Sequence, residues 1–287
     1  MSRKVLFVVH AGRQRALEVS REAATGLLAN GILVFCADDD AQLIGLDGIQ
    51  GATNAEGCEL VIVFGGDGTI LRAIEIAREH DVPVLGVNLG HVGFLAEAEP
   101  EDIASVIAAV TASDLVVEER TSLVVTTTSP DGDVWSTWAL NEVAIEKHQR
   151  ERMAEIMVSI DDRPLSRWSC DGLLCATPTG STAYAFSAGG PVVWPEVDAL
   201  LVVPISAHAL FARPLVVSPT STINVGIENG PVVVCADGRR STEVAAGGTV
   251  RVQRDSKSVK LARVHSTPFT ERLVAKFELP VRGWRSS

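Results

Sequence analysis

The sequence predicts an α/β N-terminal domain with a parallel sheet, followed by a β-rich C-terminal domain. Three observations carry that reading. Apolar strand-like runs alternate with helical patterns up to about residue 118, as a parallel sheet covered by helices requires. From about Leu115 onward, β-branched and apolar runs follow one another with no long helical pattern between them. The chain has 287 residues, 46% of them hydrophobic and 21% charged, which exceeds one average domain and supplies a substantial core.

Val5 to Val9 reads as the first strand, Gln14 to Ala29 as a helix stopped by Asn30-Gly31, and Ile32 to Ala37 as the second strand. Leu60 to Phe64 is a strand, Ile70 to Glu79 a helix and Pro83 to Asn88 a strand. Pro100 to Thr111 is a helix whose first turn carries Glu101 and Asp102, where acids suit the dipole. A Rossmann-like sheet of this kind takes ligands outside the carboxyl ends of its strands. Gly65 to Thr69 and Asn88-Leu89-Gly90-His91-Val92-Gly93-Phe94-Leu95 both fall at such ends, as opposite lips of one crevice.

In the second half, the expected strands are Val116 to Thr128, Val134 to Glu146, Glu155 to Ile160, Leu173 to Thr177, Leu215 to Ile227, Val232 to Ala236, Thr249 to Gln253 and Ser258 to Val264. Turns at Pro130-Asp131-Gly132 and Gly247-Gly248 separate several of them. The expected domains are residues 1–118, with a tail 268–287 packed back on them, and residues 119–267.

A formal charge of -11 argues against a general nucleic-acid binder, whose footprint is basic. A polyanionic ligand would then need local help, from Arg72, Arg152, Arg167 or Arg213 together with a divalent cation. The five cysteines match neither a zinc site nor a disulfide framework and read as reduced thiols of a cytoplasmic protein. The apolar stretch Ala199 to Val217 is interrupted by Pro204, His208, Arg213 and Pro214, so no membrane span is expected.

The most chemically loaded junction is Leu60 to Phe64 running into Gly65-Gly66-Asp67-Gly68-Thr69 and then a helix. Glycines let the backbone approach an anion, and the helix start presents unpaired N–H groups at its positive end. A carboxylate in a phosphate cradle repels its own ligand, so Asp67 is tolerable where it orients a metal-bound phosphate or accepts a proton. The structural alternative is a tight turn in which Asp67 or Thr69 caps the helix.

Asp171-Gly172 leads through a buried strand into Thr177-Pro178-Thr179-Gly180-Ser181-Thr182-Ala183-Tyr184, dense in hydroxyls and beside the chain's single tyrosine. An aromatic face next to a polar nest suits a purine and its ribose, although a hydroxyl-rich loop capping a helix from Thr182 fits equally well. Asn141-Glu142 interrupts an apolar stretch. Buried, the pair needs partners such as ribose hydroxyls; at a strand edge or bulge it would sit in water.

In this order, and joined by Gly189-Gly190-Pro191, Pro204-Ile205, His208 and Arg213-Pro214-Leu215-Val216, these motifs resemble those of bacterial NAD kinases, the ATP and polyphosphate/ATP-NAD kinases, over roughly residues 60–217. Cys170 and Ala207 depart mildly from the pattern, at positions where a small residue and a proline are commoner.

The resemblance implies an active site in the cleft between the domains. There the γ-phosphoryl group of ATP, with inorganic polyphosphate an open second donor, passes to the 2′-hydroxyl of the adenosine ribose of NAD, giving NADP. Asp67 resembles the general base. Gly65, Gly66, Gly68 and Thr69 would hold phosphate, Arg72 would offset charge, and Mg²⁺ or another divalent cation would accompany ATP, with no metal-ligand residue assigned in the chain. Asn141, Glu142 and Asp171 look like contacts to the nucleoside portions. Thr182, Ala183, Tyr184, Ala185, Phe186 and Ser187 would line adenine and ribose, with Tyr184 stacking, and Arg152 resembles a basic position near the dinucleotide. His208 reads as structural, and Asp237-Gly238 as a turn or a further approach to the cleft. A homodimer or homotetramer is implied, with no nucleic-acid or membrane partner. A lipid or sugar kinase sharing the Asp67 loop, or a catalytically silent dinucleotide sensor, are the rival readings.

Overall fold

A computed structural model describes residues 2–37, 40–89, 93–96, 102–264 and 268–281. The chain forms two compact units, Met1–Glu119 with Val259–Ser287, and Arg120–Ser258. All strand and sheet counts below are of the described residues.

The first unit opens with β1 (Lys4–Val9), α1 (Gln14–Ala29), β2 (Leu33–Ala37), α2 (Asp40–Ile44) and β3 (Gln50–Ala52). It continues with β4 (Leu60–Gly65), α3 (Asp67–Glu79), β5 (Val84–Asn88), α4 (Ile103–Ala112) and β6 (Val116–Arg120). Strands β3-β2-β1-β4-β5 lie side by side and parallel. Residues Val5 to Val9 and Leu60 to Phe64 are almost wholly buried, as central parallel strands covered on both faces must be. Helix α1 buries Ala16, Val19, Ala23 and Leu27, a stripe at helical spacing, and stops at Asn30 because Gly31 turns to φ 75°. The pattern had not marked α2 and β3, which are too short to show a period. Helix α3 begins at Asp67, ahead of the expected Ile70, so most of the glycine-rich junction is the helix's own first turn.

The second unit contains β7 (Leu123–Thr128), β8 (Val134–Ala139), β9 (Glu142–Lys147), β10 (Ala154–Ile160), β11 (Arg163–Cys170) and β12 (Gly172–Ala176). A 3₁₀ turn (Thr179–Thr182) and the short α5 (Tyr184–Ser187) follow. Then come β13 (Leu200–Ile205), β14 (Leu215–Val217), β15 (Ile223–Asn229), β16 (Val232–Ala236), β17 (Arg240–Val244) and β18 (Thr249–Arg254). Two six-stranded sheets form, ordered β11-β10-β15-β18-β7-β8 and β14-β13-β12-β9-β16-β17. They share one core, to which the first gives Ile156, Trp168, Val225 and Val250 and the second Ile145, Leu173, Val202 and Val234.

Three long runs expected as single strands are each divided between sheets. Val116 to Thr128 splits into β6 of the first unit and β7 of the second; Val134 to Glu146 becomes β8 and β9 on opposite sheets, and Leu215 to Ile227 becomes β14 and β15. Apolar periodicity records that a residue is buried and leaves open which sheet buries it. Strand β11 escaped the pattern because Pro164 and the polar Arg163, Ser166, Arg167 and Ser169 break up its apolar residues, and β17 because it is a polar edge strand. Strand β13 escaped because of Pro204. That proline is tolerated since β14 pairs only with Leu200–Val202, leaving that side of β13 without a ladder partner at 204.

The chain re-enters the first unit at β19 (Val259–Arg263), earlier than residue 268, and Leu261 pairs in parallel with Val84. The sheet order is completed as β3-β2-β1-β4-β5-β19-β6. Helix α6 (Phe269–Phe277) then sets Phe269 and Phe277 against Phe94, with ring centroids 5.8 and 5.9 Å apart. All five cysteines are free, and no described helix is long and apolar enough to cross a membrane.

Candidate active site

In the first unit, strands β1, β4 and β5 run parallel as neighbours, so their carboxyl ends line up. Gly65 pairs with Asn88, His10 donates its N–H to Phe64 O at 2.9 Å, and Arg13 Nη1 donates to Leu89 O at 3.1 Å. The glycine-rich junction and the Asn88–Leu95 segment therefore meet, although Gly90, His91 and Val92 lie outside the described residues.

Gly66 is the N-cap of α3, with extended backbone and no side-chain cap bond, so neither Asp67 nor Thr69 caps the helix. That removes the capping alternative. Thr69 N–H donates to Gly66 O at 2.9 Å, so the N–H groups left to a ligand by this first turn are those of Asp67 and Gly68, with the Thr69 hydroxyl beside them. Asp67 stands first in the helix, and its Oδ1 is buried with no hydrogen-bond partner among the described residues. Such an atom costs about 1–3 kcal/mol to leave unsatisfied. Arg72 lies half-buried further along α3.

The second unit builds its site on the corner between β8 and β9. Asp237, held in the left-handed region at φ 52° just after β16, accepts from the backbone N–H groups of Leu140 (2.8 Å), Asn141 (2.7 Å) and Glu142 (3.3 Å). Arg240 Nη2 reaches the same carboxylate at 3.0 Å, and its guanidinium lies 4.3 Å from the Trp138 ring centroid. From the other side Thr177 N–H donates to Asn141 O (2.9 Å), and Thr177 Oγ1 donates to Leu140 O (2.6 Å). Gly180 packs so closely that a Cβ there would fall 1.9 Å from Asn141 O, and only glycine fits. The corner is gripped from both sides.

Much of the hydroxyl-rich stretch is spent on this framework. Thr177 serves the corner, Ser181 Oγ exchanges bonds with Val193 O and N–H at 3.1 and 2.9 Å, and Thr182 Oγ1 donates to Thr179 O at 3.3 Å. Thr177, Ser181 and Thr182 each donate a hydroxyl proton to a backbone carbonyl of the chain itself.

Glu142 is another matter. Strand β9 lies between β12 and β16, and the residue is 8% exposed, so the reading of a solvated edge is overturned for it. Its Oε2 has no hydrogen-bond partner among the described residues. Burial pushes its carboxyl up to about 7, repulsion from Asp237 adds to this, and the backbone N–H of Tyr184 pulls the other way. Tyr184 is partly exposed, and its hydroxyl donates to Glu146 Oε1 at 2.8 Å, so α5 is stitched over the face of β9 that carries Glu142, Ala144 and Glu146. Ala185 anchors it in a small cluster with Ala144, Leu174, Ala176 and Leu201, while Phe186 and Ser187 are exposed and Ala183 is half-buried. Burial first, then the Glu146 bond, push the Tyr184 hydroxyl up to about 12.

Asp171 falls at the far end of the same strand pair, since Gly172 faces Glu146 where Ala176 faces Glu142. It pairs with Lys147 at 2.6 Å, and that bond holds its carboxyl below the usual carboxylate range. Arg152 is exposed in the turn before β10, near Lys147 and Asn229. Arg167 is spent on Glu228 at 2.6 Å, and Arg213 is exposed before β14.

With this geometry described, the comparisons are specific. The family model described as the ATP-NAD kinase N-terminal domain matches residues 49–115, and that of the ATP-NAD kinase C-terminal domain matches residues 140–264. The chain belongs to the NAD kinase family. It is 49% identical to an NAD kinase of Thermobifida fusca, over 99% of this chain and 92% of that protein. It is 50% identical to an NAD kinase of Mycobacterium bovis, over 99% of this chain and 98% of that one. Among solved structures, an NAD kinase from Archaeoglobus fulgidus in complex with ATP matches with a TM-score of 0.74 and 25% identity, covering 98% of this chain and all of that one. Yeast NADH kinase complexed with NADH shares the fold at a TM-score of 0.91 and 24% identity, covering all of this chain and 90% of that one. NAD kinases are phosphotransferases.

Sequence reasoning assigned no role to Arg240 or Glu146, named Gly93 only as part of the Asn88–Leu95 lip, and left Asp237-Gly238 open between a turn and a further approach to the cleft. An Asp-Gly pair ending an apolar strand was the one signal available for Asp237. Its partners lie about ninety-six residues away, and nothing local names them.

Proposed function

We propose that the chain transfers the γ-phosphoryl group of ATP to the 2′-hydroxyl of the adenosine ribose of NAD, giving NADP. The observation that carries the reading is the Asp67 carboxylate, whose Oδ1 is buried with no hydrogen-bond partner among the described residues, set at the N-terminus of a 13-residue helix. Gly65, Gly66, Gly68 and Thr69 cradle the donor phosphates there, the helix N–H groups meet their charge, and Arg72 offsets the rest. Asp67 accepts the proton of the attacking hydroxyl as the phosphoryl group departs through a loose transition state. A carboxylate is a weak base for an alcohol, so it acts late and positioning supplies most of the acceleration.

A divalent cation accompanying ATP would offset the negative charge of the donor phosphates, and no residue of the chain is assigned to hold it. Asn141 and Glu142 bind nucleoside hydroxyls, Glu142 Oε2 being the unfilled acceptor. Asp171 and Arg152 serve the outer part of the dinucleotide, and Thr182 to Ser187 line the adenosine with the Tyr184 ring available for stacking. A cytoplasmic location is supported by five free cysteines. Assembly into a homodimer or homotetramer is supported by the exposed apolar pair Leu210 and Phe211.

The test is NADP formation by the purified chain, with ATP, inorganic polyphosphate or no donor, in Mg²⁺ and in chelator. NADP that requires a donor and a divalent cation is expected. Phosphate transfer to a diacylglycerol or to fructose 6-phosphate with none to NAD would favour the lipid or sugar kinase. Binding of ATP and NAD without any NADP would favour the silent sensor.

A further inference from the structure

We propose that Gly93 is a positioning residue for the Asp67 carboxylate, a role that rests on the reading of Asp67 as the base. A Cβ built at Gly93 would lie 2.4 Å from Asp67 Oδ1, 3.0 Å from Cγ and 3.1 Å from Oδ2, so its three nearest neighbours are the atoms of that one carboxylate. The other tight glycines of the first unit press on different groups: a Cβ at Gly86 would meet Ile70 Cδ1 at 2.7 Å, one at Gly26 would meet Ile107 Cδ1 at 2.7 Å, and one at Gly65 would meet Thr69 Oγ1 at 2.6 Å. The first two are matters of apolar packing and the third fits the turn to its own threonine, whereas a Cβ at Gly93 would meet the Asp67 carboxylate.

Gly93 also stands outside the positive-φ glycines. Its backbone conformation is therefore one that alanine adopts, and the demand for glycine comes from the space that Asp67 occupies. The backbone at 93 has little freedom to retreat, because the next residue, Phe94, is held between Phe269 and Phe277, and Leu95 is buried. An added methyl group would displace the carboxylate instead. Oδ1, with no hydrogen-bond partner among the described residues, lies where a Cβ at position 93 would fall, at the start of α3. A glycine here is what lets a charged oxygen lie against the segment after β5 and keep its lone pairs for the substrate.

The experiment is a double cycle. Gly93→Ala is expected to lower kcat by about 10- to 100-fold, the cost of misplacing a reacting group by an ångström or less, with the Kd values for ATP and NAD within about threefold of native. In the Asp67→Asn background, where no base remains to be misplaced, the same change should alter kcat by less than about threefold. Thermal unfolding gives a second, independent readout: Gly93→Ala should lower Tm, and truncation of the clashing side chain in Asp67→Ala/Gly93→Ala should restore it. Native kcat in Gly93→Ala, an equal kcat loss in both backgrounds, or an equal Tm loss with and without the Asp67 side chain would each overturn the proposal. Full activity in Asp67→Asn alone would remove the base reading, and the Tm cycle would then decide by itself whether Gly93 holds this side chain.

Discussion

Two aspartates at strand ends, Asp67 after β4 and Asp237 after β16, sit in opposite hydrogen-bonding states. Asp237 accepts three backbone N–H groups and an arginine, and its side chain is 1% exposed. Asp67 has a buried oxygen and no such partner. A carboxylate whose lone pairs are all taken fixes its surroundings. One left open can still accept a proton or orient a ligand. The contrast separates the residue that holds a site together from the residue proposed to act in it, which residue type alone does not.

The strongest way to break the comparison is Asp237→Ala. It would strand three N–H groups and a half-paired Arg240, and is expected to cost about 3–5 kcal/mol of stability, read by urea unfolding of the purified protein. Loss of less than about 1 kcal/mol would show that the corner holds itself.

Next is Asp67→Asn, isosteric and free of partners to disturb. It should leave Tm and NAD affinity close to native and cut kcat by roughly 10²-fold or more, equivalent to about 2.7 kcal/mol. Large changes in Tm would mean that Asp67 is structural after all.

A third test sharpens the case for Glu142, the buried acid between the two extremes. Its carboxyl is raised from 4.5 to about 7. The folded state therefore holds a proton that the unfolded state has released, and this group's contribution to stability falls as pH rises through that window and stays low above it. Glu142→Gln should remove that decline, giving a gain over native on the order of 2 kcal/mol at pH 8 and little at pH 4, by thermal melts across pH. Parallel pH dependence in both proteins would contradict a buried, titrating Glu142.

The smallest effect belongs to Tyr184→Phe, which removes the bond to Glu146 and keeps the ring. About 1 kcal/mol of stability and less than threefold in the KM for NAD are expected. A tenfold rise in KM would assign the hydroxyl to the substrate.

The first unit was the more legible. Val5 to Val9 and Leu60 to Phe64 announced themselves as apolar runs, the second flanked by Gly-Gly, because parallel strands are buried on both faces, and Gln14 to Ala29 by helical period and the Asn-Gly after it. The β-rich unit was read in kind and misread in detail. At Leu140-Asn141 the chain turns from one sheet to the other between two apolar runs, and Pro204 hides a strand whose neighbour has simply ended. In the site, Gly65 to Thr69 and Asn141-Glu142 were visible as anomalies, being glycine or charge set among apolar residues. That Thr177, Ser181 and Thr182 also bond to the chain's own carbonyls was not visible, because the inward or outward turn of a hydroxyl is absent from its letter.

By itself the sequence determined the two classes of domain, the helix-start cradle around Asp67 and, through its ordered motifs, the family. Those depend on local order: periodicity, glycine content and residues adjacent along the chain. Folding in three dimensions set which carboxylate is satisfied, which one is left open with a glycine packed against it, and which hydroxyls are already in use. Each of these turns on atoms brought together from far apart, as Asp237 is with Leu140 across 97 residues, and a hydrogen bond of 2.8 Å leaves no trace in the spacing of letters.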